Sequence, residues 1–446
     1  MLNTTVGRSA VSSTEPRRTT VAQRRRFLVN LASITVAALV FRLLYVALWA
    51  APADNRHFHL QANLLAKGYG YIAAGQFAAS GRRVITAGHP PLFSLILAGV
   101  SYLGGTSVFA HQVTCCVLSA ATVLVIGFIG RDLAGESAGL FAAGLASLYP
   151  PLWMNDNRIF SESLFALLIA IFLWAAYRFC RRPRLSSAVI MGVTVGLGAL
   201  TRGEATLVLA VVAAPLVLMV KGLDRPARVR QLVAVLLSAA VVVAPWTIRN
   251  LATFKRPVLL STDGDGVIGG ANCPSAYYGP GIGDWHSRCV KENLAGINVA
   301  RLDESQVAAI ERRKGVVYAL HHVGRWPAVV AARVGRTLNL FHPLRPAADY
   351  EHPTWLNLSS ALLFFILQPF AVRGAVWLRR HGRALWPLLG QAVVVMTVAI
   401  VFEGKVRLRT PWDVAIVVLG GVALAALAGR LGSHRRRTPS EGLGAT

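Results

Sequence analysis

Hydrophobic and polar positions along this chain alternate in long blocks rather than in faces. Runs of about 17 to 24 apolar residues, the length that carries a helix across a hydrocarbon layer, recur between short polar stretches. Ten blocks lie near 28–50, 108–130, 134–153, 161–178, 186–201, 204–220, 231–248, 355–372, 384–402 and 411–430. The pattern predicts an all-α polytopic membrane protein with about ten transmembrane helices. The first block is too long for a cleaved signal peptide and is expected to stay as the first span.

The flanking charges set the orientation. With the N-terminus inside, one side collects Arg24, Arg25 and Arg26, Arg131, and the group Arg178, Arg181, Arg182 and Arg184. The same side receives Lys221, Arg225, Arg228 and Arg230, then Arg373, Arg379, Arg380 and Arg383, then Arg435, Arg436 and Arg437. Basic residues in short loops mark the cytoplasmic side. The apolar stretch 89–105 would invert every later loop if it crossed, so it is read as a juxtamembrane helix at the outer surface. Pro90 and Pro91 suit its first turn, where missing N–H groups do no harm.

The chain then divides into a disordered cytoplasmic tail (1–27) and an N-terminal transmembrane module (28–248) with an outer loop at 51–107. An outer α-rich subdomain (249–354), the C-terminal transmembrane helices (355–430) and a second cytoplasmic tail (431–446) follow. In the subdomain, the run Asp263-Gly264-Asp265-Gly266 favours a turn. The stretch from Trp326 to Leu340 is expected to rest on the membrane with Arg333 and Arg336 toward phosphates.

Composition agrees. Apolar residues make up 54% of the 446 residues and charged residues 15%, with a mean hydropathy of +0.51. Soluble chains carry roughly a quarter charged residues. The net charge of +26 is split between the two membrane faces, which excludes a soluble nucleic-acid binder. Cys115, Cys116 and Cys180 sit in or beside apolar runs as small filler. Cys273 and Cys289 share the long polar loop, and if that loop lies outside the cell they are placed to pair as a disulfide. No CxxC or HExxH spacing appears, so a divalent metal stays open without support from ligand spacing.

Polar groups near lipid need a reason. Asp54, just after the first span, can serve as a general base, or as a solvated loop acid or a helix cap for the segment beginning at Asn55. Arg202 and Glu204 share a tight turn between two blocks, which is either a ligand site or a charged helix terminus. Lys405, Arg407 and Arg409 put three cations into five residues, suited to phosphate or to lipid headgroups. Glu162 opens a block and caps it on the bland reading. Arg42 lies inside the first block, where an interior partner is expected.

Taken in order, these residues resemble the integral-membrane glycosyltransferases of GT-C architecture, most closely bacterial relatives of the dolichyl-phosphate-mannose–protein mannosyltransferases. The carriers are the run from Asp54 to Tyr71, His89-Pro90-Pro91-Leu92, Phe160-Ser161-Glu162-Ser163-Leu164 and Leu200-Thr201-Arg202-Gly203-Glu204-Ala205. Pro245-Trp246-Thr247-Ile248-Arg249-Asn250 and Arg407-Leu408-Arg409-Thr410-Pro411 complete the set, over roughly 30–430. Relatives often have a second acid where this chain has Asn55, and a proline where it has Gly203.

The resemblance implies transfer of a sugar from a polyprenyl-phosphate donor to a glycan, lipid or protein acceptor at the outer face of a bacterial plasma membrane. It assigns Asp54 as base in an inverting displacement and Arg202, Lys405, Arg407, Arg409 and Arg249 to the donor phosphate. His57, His89, Glu162, Glu204, Tyr277, Tyr278 and Trp285 are the expected substrate contacts, the aromatics stacking on sugars or forming loop core. The rivals are a transporter or lipid flippase, which predicts charges in mid-span, and a non-catalytic assembly partner of the same fold.

Overall fold

The computed structural model describes residues 21–49, 57–342 and 352–435. Within them the chain forms α1 (Val21–Leu48), α2 (His57–Ala66), α3 (Leu92–Tyr102), α4 (Val108–Ala134), α5 (Glu136–Leu148), α6 (Glu162–Arg181), α7 (Leu185–Ala199), α8 (Ala205–Met219) and α9 (Arg225–Thr253). Then come α10 (Asp263–Ala271), α11 (Ser287–Asn293), α12 (Glu304–His321), α13 (Trp326–Thr337), α14 (Thr354–Arg380), α15 (Trp386–Val401) and α16 (Thr410–Arg435). Helix is what an apolar segment must form in lipid, because every backbone N–H and C=O is then paired internally.

Among the described residues six segments are long and apolar enough to cross a membrane: α1, α4, α6, α9, α14 and Val406–Arg430. The other four predicted blocks also fold as helices, but α5, α7 and α15 have only 13, 15 and 16 residues. At 1.5 Å per residue, none reaches a hydrocarbon thickness of about 30 Å alone. The protein is multi-pass and all-α. Helix also extends into both predicted tails, since α1 begins at Val21 and α16 continues to Arg435.

Between such helices, small residues allow close approach. A Cβ on Gly139 of α5 would run into the backbone of Gly127 and Arg131 on α4, and one on Gly421 of α16 into Ala142 of α5. The bundle core runs from Phe27 and Leu31 through Val123, Ile126, Phe165 and Phe172 to Val417. In α8 the segment Val208–Ala213 is π-helical. Pro215 has no N–H to give the Val211 carbonyl, and the Trp386 indole of α15 supplies that hydrogen bond instead at 3.1 Å.

The subdomain between α9 and α14 is closed by a Cys273–Cys289 disulfide, with Cα atoms 6.1 Å apart. Two expectations change here. Asp263 and Asp265 open α10 rather than a turn, since acids in a first helical turn meet the positive end of the helix dipole. Arg333 and Arg336 do not face a membrane. Arg333 is buried and donates to the carbonyls of Ile400 and Val401 at the end of α15 and of Ala271 at the end of α10. Arg336 donates to Ile282 and Pro280. Last-turn carbonyls have no partner within their own helix, so one arginine ties two helix ends together.

Candidate active site

Four polar segments meet at one end of the bundle. The first follows α5, where Pro150 and Pro151 stop the helix after Tyr149 and leave a wholly buried turn up to Ser161. Asp156 in this turn accepts from Ser119 and Ser163, both at 2.7 Å. Its other oxygen lies 3.8 Å from Arg42 Nε, and Arg42 donates to the carbonyls of Ala38 and Ala146. Arg42 thus has the interior partner expected of it. Ile159 takes a left-handed conformation, φ 57°, which is costly for a β-branched side chain. The strain falls between Arg158 and Phe160.

Burial pushes the Asp156 carboxyl up to about 6 against the pull of Arg42, Ser119 and Ser163. A carboxyl raised in the folded state contributes stability that is complete below its unfolded value and is lost as pH rises through about 6. Between pH 7.5 and pH 5 this group alone adds about 1.4 kcal/mol of stability, against the opposite pull of buried histidines such as His57, so it is read as the difference in pH dependence between wild type and a variant without it. Paired melts of wild type and Asp156→Asn check it. The same pH dependence in both proteins would assign none of it to Asp156.

At the heart of the site, Glu162 Oε1 accepts from Arg202 Nη1 at 2.6 Å and from Arg407 Nη1 at 3.2 Å. Arg202 comes from the turn between α7 and α8, and its Nε also pairs with Glu204. Arg407 comes from the loop after α15 and lies over the Phe160 ring, 5.4 Å from its centroid. Burial works against the Arg202 charge, but Glu162 and Glu204 outweigh it and hold the guanidinium above its usual pKa. One carboxylate therefore orients two arginines from distant parts of the chain.

Beside this group, His89 Nδ1 lies 3.6 Å from Asp263 at the start of α10. The His57 and His89 rings are 4.7 Å apart. Burial, aided by His89 and opposed by Asp263, brings the His57 imidazole down to about 4, so it is neutral at neutral pH. Asp263, read in the sequence only as a turn former, also acts on the Arg202 charge. Its signal was the acid pair at 263 and 265, which marks a helix start as readily as a turn.

Other expected residues are placed differently. Asp54 lies outside the described residues, three positions before His57. Arg409 is fully buried, with its guanidinium held by the protein itself. Its Nε donates to Asp413 at 2.9 Å, Nη1 to the Thr337 carbonyl at 3.1 Å and Nη2 to Tyr149 at 3.3 Å, with Phe364 against its face. Arg249 donates to the carbonyls of Thr86 and Tyr71 and stacks on Trp246, holding the loop before α3. Lys405 pairs with Glu403 at 2.9 Å and lies over the Trp285 ring at 5.5 Å. Tyr277 is subdomain core, bonded to Asn272, while Tyr278 is half exposed under Arg325. Among Arg202, Lys405, Arg407 and Arg409, Arg407 is the most open, its side chain 22% exposed against 12%, 7% and 0% for Arg202, Lys405 and Arg409.

Among the described residues no group of three or more His, Cys, Asp or Glu side chains converges as a metal site.

Residues 88–248 match the profile of the family described as dolichyl-phosphate-mannose-protein mannosyltransferase. Comparison with curated proteins gives no match. The archaeal oligosaccharyltransferase AglB from Archaeoglobus fulgidus, solved in complex with an inhibitory peptide and a dolichol-phosphate, is similar at 14% identity and a TM-score of 0.55. That likeness covers 96% of this chain and 53% of AglB, so the chain spans about half its length. The Archaeoglobus fulgidus oligosaccharyltransferase tethered with an acceptor peptide is similar at 14% identity and a TM-score of 0.53, over 93% of this chain and 52% of that one. ArnT from Cupriavidus metallidurans bound to undecaprenyl phosphate aligns over 93% of this chain and 81% of its own, at 14% identity and a TM-score of 0.41. The chain is a multi-pass membrane protein of GT-C fold whose segment 88–248 matches the dolichyl-phosphate-mannose-protein mannosyltransferase family.

Proposed function

We propose that this protein is a membrane glycosyltransferase that moves a sugar from a polyprenyl-phosphate-linked donor to an acceptor at the outer face. The observation that carries the reading is the Arg202–Glu162–Arg407 group, assembled from three separate connections at one end of a GT-C bundle. The dolichol-phosphate in the AglB complex supports a lipid-linked donor. The disulfide supports an outer, oxidising location for the subdomain.

In the proposed reaction the acceptor hydroxyl gives its proton to Asp54 as its oxygen attacks the anomeric carbon of the donor. The bond from that carbon to the phosphate oxygen breaks, and the polyprenyl phosphate leaves as an anion. An anionic leaving group needs cations rather than an acid. Arg407 meets it, and Glu162 and Arg202 hold Arg407 in position. One displacement inverts the anomeric centre.

Membranes bearing the wild type, incubated with labelled polyprenyl-phosphate sugars, are expected to move label into an acceptor fraction. Arg407→Ala should lower transfer by about 10- to 100-fold, the worth of one charge-assisted hydrogen bond, and Arg407→Lys should restore part of it. A flippase would move the lipid across the bilayer and leave label on it. Label that stays on the lipid with every donor and acceptor tried would sink the transferase reading.

A further inference from the structure

Away from the arginine group, the outer subdomain carries a cleft of about 690 Å³ along α12. Ligand sites commonly fall between about 300 and 1,000 Å³. Its polar lining is Arg313, Lys314, Tyr318, His321 and His322, over an apolar floor of Ile297, Ile310 and Val317. No carboxylate lines it among the described residues, and the nearby acids are engaged. Glu311 accepts from Asn293, and Glu292 pairs with Arg288. Arg312, the neighbour of Arg313, is bonded to Asp265 outside the cleft. A cleft with two fixed cations and no acid attracts an anion.

The aromatic side narrows the choice. Tyr318 and His322 are stacked, with ring centroids 4.0 Å apart and planes 18° from parallel. Tyr277 supports Tyr318 edge-on at 5.1 Å. His321 and His322 each hold Nδ1 against a backbone carbonyl at 2.8 Å, which fixes the rings and leaves Nε2 available to a ligand. Flat rings fixed beside cations suit a sugar that bears a charge, with its C–H face on the ring and its acid on the cation.

The cleft shares its helix with a contact to the segment that carries His89. Glu304, in the first turn of α12, accepts from the Ala87 amide at 3.1 Å, two positions from His89. Residues 310–322 therefore begin about 9 Å from that point along the helix axis and end about 27 Å from it.

We propose that the cleft along α12 binds an anionic saccharide, a chain whose sugar units carry carboxylate or phosphate. This binding does not rest on the transferase reading.

The test uses the purified full-length protein in detergent, titrated calorimetrically with trigalacturonate, neutral maltotriose and inorganic phosphate. Trigalacturonate should bind at least about tenfold more tightly than maltotriose, and Arg313→Glu should weaken it by at least about tenfold. Arg407→Ala should leave this binding unchanged. Equal binding of trigalacturonate and maltotriose, or wild-type affinity in Arg313→Glu, would overturn the proposal. Inorganic phosphate binding as tightly as trigalacturonate would overturn its saccharide part. If trigalacturonate binds as expected while no donor gives transfer, the cleft stands and the transferase reading falls.

Discussion

Asp54→Asn is expected to slow glycosyl transfer by about 10²- to 10⁴-fold, the usual worth of a positioned general base. Asparagine keeps the size of the side chain and its hydrogen-bonding capacity, so donor binding should be unchanged. The competing base is His57, at the start of α2 and three residues further along the chain. A pH profile would not separate the two, because burial brings His57 down to about 4, the range of an ordinary carboxylate. Substitution does separate them. His57→Gln should cost much less than Asp54→Asn if the carboxylate takes the proton. The opposite order, in variants that melt like the wild type, would reassign the base to His57 and leave Asp54 as a cap for α2.

What the sequence made legible follows from which interactions are local. Spans are local, since a long apolar run must be helical in lipid whatever surrounds it, and all ten predicted blocks fold as helix. Their boundaries were less so. Pro150 and Pro151 cut the third block short at Leu148, although both prolines were in plain view. Arg42 was legible as a residue needing an inner partner, but nothing local named Asp156.

The cations show the same limit more sharply. Arg202, Arg407 and Arg409 were visible as a cationic set, yet what each one does depends on its counter-charge. Arg407 meets Glu162 across 245 residues and Arg409 meets Tyr149 across 260. From sequence spacing, Arg407 and Arg409 look equivalent; in the fold they sit two positions apart on a 3-10 turn, one partly open and the other fully enclosed. Arg333 was misread for the same reason, because the orphan carbonyls it serves end two helices remote in the chain.

Arg409→Ala is accordingly expected to destabilise the protein by about 3–5 kcal/mol, because it leaves the Asp413 charge buried without its partner. Asp413 and Tyr149 are both buried, the Tyr149 hydroxyl already donates to Asp413 at 2.7 Å, and among the described residues Arg409 is the only cation paired with Asp413. Thermal unfolding in detergent measures the loss. The informative variant is the double replacement Arg409→Leu with Asp413→Leu, since exchanging a whole buried ion pair for apolar side chains is often neutral or stabilising. If Arg409 acts as the support described here, the double variant should recover most of the stability and keep transfer close to wild type, because Arg407 and Glu162 stay in place. If Arg409 touched the donor phosphate, the double variant would be stable and inactive. Stability and activity recovered together would mark the buried pair as the post that holds the Arg407 loop, and stability recovered alone would return Arg409 to the phosphate site.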